Sequence, residues 1–224
     1  MPDGYRRATE ESMRLTLFFL FIPLAAGQGL LGDRVQVGVI GGVAFRDPLR
    51  AFGRSESKPY ILGPSVELRV RGGFVIEADV LFRRLGSSSA YNLLSGRNLT
   101  DPPQVTPVYN YSGRLRSNYW ELPVLAKYNF QRGFCGLTPF LATGYAFRTS
   151  WDKTQNQTNN PGLPARYEGS ARSPLGIGAV VAAGASWKVG PVKISPQFRY
   201  TRWGDTPNGA RRRNQVDFLV GFHF

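Results

Sequence analysis

Ionisable side chains recur here at alternate positions of extended-looking stretches: Glu67 with Arg69, Glu77 with Asp79 and Arg83, Glu121 with Lys127, then Arg148, Lys193 with Arg199, and Asp217. That spacing puts each group on one face of a strand, because side chains alternate across a strand with a period of two. Carboxylates and cations sharing an enclosed face must pair, since an unpaired charge away from water is costly. The residue types needed for catalysis are scarce. A hydrolase wants a Ser or Asp beside a His, and the single histidine, His223, stands one residue from the end of the chain. Asp217 shares its face but lies about 20 Å away along an extended strand, too far to orient it. The lone Cys135 gives neither a disulfide within the chain nor a thiolate metal site, and His223 has no second histidine with which to share a metal. We expect no catalytic, metal-binding or cofactor-binding residue.

The elements that position the charges are eight period-2 segments: 35–45, 60–70, 74–85, 120–130, 137–149, 174–189, 192–203 and 214–224. The cleanest sets Trp120, Leu122, Val124, Ala126, Tyr128 and Phe130 against Glu121, Pro123, Leu125, Lys127 and Asn129. The last sets Val216, Phe218, Val220, Phe222 and Phe224 against Gln215, Asp217, Leu219, Gly221 and His223. A slip of one residue would expose every charge to the apolar side. Three connections are short (71–73, 131–136, 190–191), and four are long and polar (46–59, 86–117, 150–172, 204–212). Strands of about 9 to 11 residues, even in number, with short turns at one rim and long loops at the other, describe a membrane-spanning barrel. Aromatics near strand ends, Tyr60, Phe74, Phe82, Trp120, Phe130, Phe147, Trp187, Trp203 and Phe224, suit girdles at the two membrane interfaces.

Composition agrees: 19% charged residues, 13% aromatics, 26 Gly and 16 Pro suit many strands and turns rather than helices. Leu15 to Leu24 is an apolar run between Arg14 and Ala25-Ala26-Gly27, too short to span a bilayer as a helix. We read residues 1–27 as a signal peptide, with Met13 as an alternative start, and residues 34–224 as one barrel domain. The 28 Lys and Arg exceed 15 Asp and Glu, but Arg46, Arg50, Arg54, Lys58, Arg97, Arg114, Arg116, Lys153, Arg166 and Arg211 to Arg213 fall in connecting stretches and not on one helix face. Such placement fits anionic lipid head groups or a solvated surface, and not nucleic acid.

The signal peptide, the eight-strand pattern, the terminal strand and the stretches Trp120-Glu121-Leu122-Pro123, Lys127-Tyr128 and Phe198-Arg199-Tyr200 resemble the small bacterial outer-membrane β-barrels. That group includes the membrane domain of outer membrane protein A and the PorT-like barrels. The resemblance implies an all-β, eight-stranded antiparallel up-and-down transmembrane β-barrel in the outer membrane of a Gram-negative bacterium. It also implies that Phe218, Phe222 and Phe224 form the signal read by the assembly machinery. Outer-membrane lipid and lipopolysaccharide are the expected surroundings, and a monomer the expected state. So narrow a barrel is filled by its own side chains. The inward set, Glu67, Arg69, Glu77, Asp79, Arg83, Glu121, Lys127, Arg148, Lys188, Lys193, Arg199 and Asp217, is read as a static ion-paired plug in preference to a gated polar channel. A lipocalin-like carrier fits less well, because the face opposite the charges is apolar from rim to rim. The expected function is a non-enzymatic barrel with a structural, envelope or surface-loop binding role, the alternatives being a small-solute channel or a lipid-modifying barrel enzyme.

Overall fold

The computed structural model describes residues 34–45, 54–94, 108–130, 136–158, 166–204 and 213–224. The expected signal peptide, Cys135 and the basic residues Arg46, Arg50, Arg97, Arg211 and Arg212 lie outside them. The described chain forms β1 (Val35–Ala44), β2 (Arg54–Ser55), β3 (Tyr60–Arg69), β4 (Phe74–Asp79), β5 (Leu81–Leu94), β6 (Val108–Asn129), β7 (Thr138–Thr158), β8 (Arg166–Arg172), β9 (Gly176–Val189), β10 (Val192–Trp203) and β11 (Asn214–His223). All pairings are antiparallel, and β1 pairs with both β3 and β11, so the sheet closes on itself. β4 and β5 make one stave, as do β8 and β9, and β2 is a two-residue addition to the edge of β5. Eight staves result.

The break between β4 and β5 has a local cause. The register β3 to β4 runs on unchanged into β5, with Ser65 opposite Asp79 and Leu62 opposite Phe82, which puts Pro64 beside Val80. On the other flank Ala78 faces Val124 and Leu81 faces Glu121, which puts Pro123 beside Asp79. Proline has no N–H to give to a ladder, so both flanks lose a donor at one level. The side-chain alternation passes through undisturbed.

The three short turns bend through glycines at positive φ: Gly72 (62°) and Gly73 (88°) before β4, Gly136 (77°) before β7, and Gly190 (61°) before β10. The other rim differs from expectation. Two of the stretches read as long loops, 86–117 and 150–172, are largely strand: β5 runs to Leu94, β6 begins at Val108, β7 runs to Thr158, and β8 covers Arg166–Arg172. Arg114, Arg116, Lys153 and Arg166 therefore stand on strands. These polar, Ser- and Asn-rich segments lack an apolar face, and their ladder hydrogen bonds are supplied by neighbours that already belong to the barrel. Among the described residues, one side of the wall thus rises above the other as a four-stranded arm.

Outward-facing side chains form a continuous apolar belt. Leu62, Ile76, Leu122, Val124, Leu141, Tyr145, Ile177, Val181, Phe198, Val216 and Phe222 are all exposed. A water-soluble barrel does not leave such a surface wet. On β6 the belt runs from Trp120 to Phe130, which on a tilted strand makes a band about 25 Å tall. Trp203, assigned from sequence to a girdle, is instead 2% exposed, because it shares the inward parity of Arg199 and Thr201.

Candidate functional site

Inside the barrel, two ion-pair clusters occupy the lumen. Toward the short-turn rim, Lys127 Nζ donates to Glu67 Oε1 at 2.8 Å and to Glu77 Oε2 at 2.9 Å. Lys193 closes on the other oxygen of Glu67. Arg199 Nη2 donates to Glu77 at 2.9 Å and to Asp79 at 2.8 Å, and Gln197 adds a bond to Glu77 at 3.1 Å. β4 and β10 are diametrically placed around the ring, so the Arg199 pairs span the full lumen.

Toward the long-loop rim, Arg83 grips Asp217 with both terminal nitrogens, at 3.0 and 2.6 Å, and reaches Glu121 at 3.1 Å. Gln215 donates to Asp217 at 2.8 Å and accepts from the Trp203 indole at 3.1 Å. The Arg148 guanidinium lies over that indole, 4.1 Å from the ring centre. Five carboxylates, Glu67, Glu77, Asp79, Glu121 and Asp217, thus meet five cations, Arg83, Lys127, Arg148, Lys193 and Arg199, all buried. Of the expected interior set, Arg69 is only half-buried and Lys188 is exposed; both line an open cleft of about 600 Å³ at the short-turn mouth. Their strands end there, so the last inward-facing residues meet water.

Glycine decides which staves touch across a neighbour. Gly42 stands opposite both Ile61 and Leu219, and with no side chain between them these join Ile40 and Leu81 in one apolar cluster. Gly144 likewise stands between Leu125 and Val180, which cluster with Ala142, Ala146, Ala182 and Trp203. Gly184 on β9 makes room for the neighbouring Phe140 of β7: a Cβ there would lie 2.6 Å from the Phe140 ring, which Lys127 caps at 3.9 Å.

His223 also has a partner that sequence reasoning missed. Its Nε2 lies 3.0 Å from Ser65 Oγ, across Gly38, and 3.9 Å from Glu67. This serine–histidine contact does not make a nucleophilic triad. In such a triad the acid orients the imidazole through the nitrogen opposite the serine, whereas here both partners crowd Nε2 and the ring is 1% exposed. The signal was present in the sequence as glycine alternating with the inward residues of β1, but it needs the register of two neighbouring strands to be read.

Outside the membrane belt, Glu56 accepts from Arg114 at 2.7 Å, tying the segment after β2 to the arm. That hydrogen bond holds the Glu56 carboxyl below its ordinary range. Above it, an open cleft of about 670 Å³ is lined by Ser88, Ser112, Gln155, Asn156 and Arg166 among others. Among the described residues, no group of three or more His, Cys, Asp and Glu is arranged to hold a metal ion.

Residues 28–204 match the model of the family described as outer membrane protein beta-barrel domain. Among solved structures, Neisserial surface protein A is similar at 16% identity and a TM-score of 0.46, covering 84% of this chain and 94% of that one. The N-terminal β-barrel domain of Pseudomonas aeruginosa OprF is similar at 13% identity and 0.39, covering 86% and 98%. Ail, the attachment invasion locus protein of Yersinia pestis, is similar at 10% identity and 0.39, covering 85% and 97%. No curated protein matches the chain.

Proposed function

The chain belongs to the outer membrane protein β-barrel domain family, and from that premise we propose that it works as a closed, non-enzymatic barrel serving the envelope and presenting its arm at the cell surface. Its place is the bacterial outer membrane. The observation that carries the proposal is the ion-paired lumen. A permeant solute would have to separate Arg199 from Glu77 and Asp79, and Arg83 from Asp217, inside a poorly solvated barrel. Breaking a buried pair is strongly unfavourable, so the lumen acts as a plug and holds the staves in register. The one serine–histidine contact is sealed in the same network, away from any surface where a lipid or peptide docks.

Assembly as a monomer in lipid and lipopolysaccharide completes the reading. Phe222 and Phe224 are exposed on the outer face at the end of the last stave, available to the assembly machinery together with Phe218. Planar bilayer recordings of refolded protein test the plug directly. We expect no discrete openings; reproducible unitary conductance would establish the channel instead. Turnover of labelled phospholipid or lipid A by the same preparation would overturn the non-enzymatic half of the proposal.

A further inference from the structure

The outer face of the arm continues the face that carries the apolar belt, and its chemistry changes abruptly. The belt ends at the row of Phe82 beside Trp120, ring centres 5.0 Å apart. Two residues further up each strand, about 7 Å along it, stand Arg84, Asn118, Trp151 and Arg172 in one cross-strand row. Lys58 joins this row, its amide bonded to the Arg84 carbonyl at 2.8 Å. The next row holds Gly86, Arg116, Lys153 and Ser170. All five cations, Lys58, Arg84, Arg116, Lys153 and Arg172, are exposed.

Two features of this band call for an anion. Arg116 and Lys153 are directly opposite each other on adjacent strands, an arrangement of like charges that weakens a sheet unless something lies between them. The nearby carboxylates are engaged: Glu56, beside Gly86 in this second row, takes a hydrogen bond from Arg114 and also acts on the Arg116 charge, Glu168 pairs with Arg166, and Asp152 bonds Ser150 and Ser173 on the inner face. Arg84 and Lys153 have no ion pair among the described residues, and Arg116 shares Glu56 with Arg114.

The direction of the side chains identifies the occupant. They point sideways along the same normal as Phe82 and Trp120, not upward from the rim. Trp151, stacked with Arg172 at 5.3 Å, is an interfacial aromatic in their midst. A soluble anion has no reason to prefer this ledge, whereas a lipid packed against the belt brings its head group to it. We propose that this band is a lateral docking face for the phosphorylated head group of the outer-leaflet glycolipid, the phosphates of lipid A seated between the Arg84 row and the Arg116–Lys153 pair. Among the described residues the face is one-sided, for on the wall of β1 and β10 the strands end at Ala44 and Trp203.

The inference deepens the proposed place of the barrel in lipopolysaccharide and rests on it. Refolded protein is titrated with lipid A and with dephosphorylated lipid A in detergent, and compared with Arg84→Gln/Arg116→Gln/Lys153→Gln and with the opposite-wall control Arg202→Gln. Folding is read from the heat-dependent gel shift of each sample. Wild type should prefer the phosphorylated lipid, the triple variant should lose about fivefold for each cation removed, and Arg202→Gln should bind like wild type. Equal binding by the triple variant, or no preference of wild type for phosphate, overturns the docking face. If the triple variant does not fold, the wild-type comparison of the two lipids decides alone. A wild type that folds and stays closed in bilayers yet ignores the phosphates removes this face and leaves the plug reading standing.

Discussion

Ser65 and His223 meet at 3.0 Å, although 158 residues separate them, because Gly38 stands between them on the intervening stave and offers no side chain. The same device brings Ile61 to Leu219 over Gly42, and Leu125 to Val180 over Gly144. Glycine in the barrel wall therefore sets which inward groups reach each other, and through them how the lumen closes.

Filling one of these gaps should be severe. A Cβ on Gly144 would lie 2.0 Å from the Val124 carbonyl oxygen, and one on Gly42 would lie 1.9 Å from that of Phe218. Contacts with backbone cannot be relieved by rotating a side chain, so Gly144→Val should cost at least the ~1–3 kcal/mol usual for overpacking. Urea unfolding in lipid vesicles measures it.

The Arg83–Asp217 pair joins the third stave to the last. Asp217→Ala leaves Arg83 buried with only Glu121, and should destabilise the barrel by about 3–5 kcal/mol in the same unfolding experiment. Replacing the pair together, Arg83→Met with Asp217→Leu, should recover much of that loss, because Glu121 then keeps Arg148, directly opposite it on β7, as its counter-charge.

Much of this was legible in the sequence. The alternation at Trp120 to Phe130 and at Gln215 to Phe224 gave the faces of β6 and β11, and the one-sided placement of Glu67, Glu77, Asp79 and Asp217 gave the interior. The place of Trp203 near a strand end suits a girdle, but its parity with Arg199 and Thr201 puts it inside. The arm is not legible in the sequence for a different reason. Its Ser, Asn and Arg residues carry no apolar period, and their strand state comes from neighbouring ladders, which a single segment cannot display. Cross-lumen partners such as Arg199 and Glu77 needed the closed ring.

Removing Phe224 should leave β11 paired through His223 but take away the exposed aromatic that follows it. We expect a marked fall in the protein recovered from the outer membrane, with unassembled chain accumulating in the periplasm, as read by fractionation and the heat-dependent gel shift. Unchanged recovery would remove Phe224 from the assembly signal.

Glu56 should titrate below the ordinary carboxyl range in the folded protein, because Arg114 hydrogen-bonds its ionised form. A depressed folded value means the clasp stabilises the arm above the unfolded pKa and is lost as pH falls through the folded one. Carbon-13 titration of the Glu56 carboxyl should show this low midpoint, and Arg114→Ala should return it upward.

The most direct test of the whole account is the alternation of environment along β6. With Cys135 replaced by Ser, single spin-labelled cysteines at positions 121 to 127 in vesicles report collision with dissolved oxygen and with a water-soluble nickel complex. The account predicts high oxygen and low nickel access at Leu122, Val124 and Ala126, and little of either at Glu121, Leu125 and Lys127. The reverse pattern, with the positions of Leu122, Val124 and Ala126 shielded and those of Glu121 and Lys127 open to lipid or water, would contradict it.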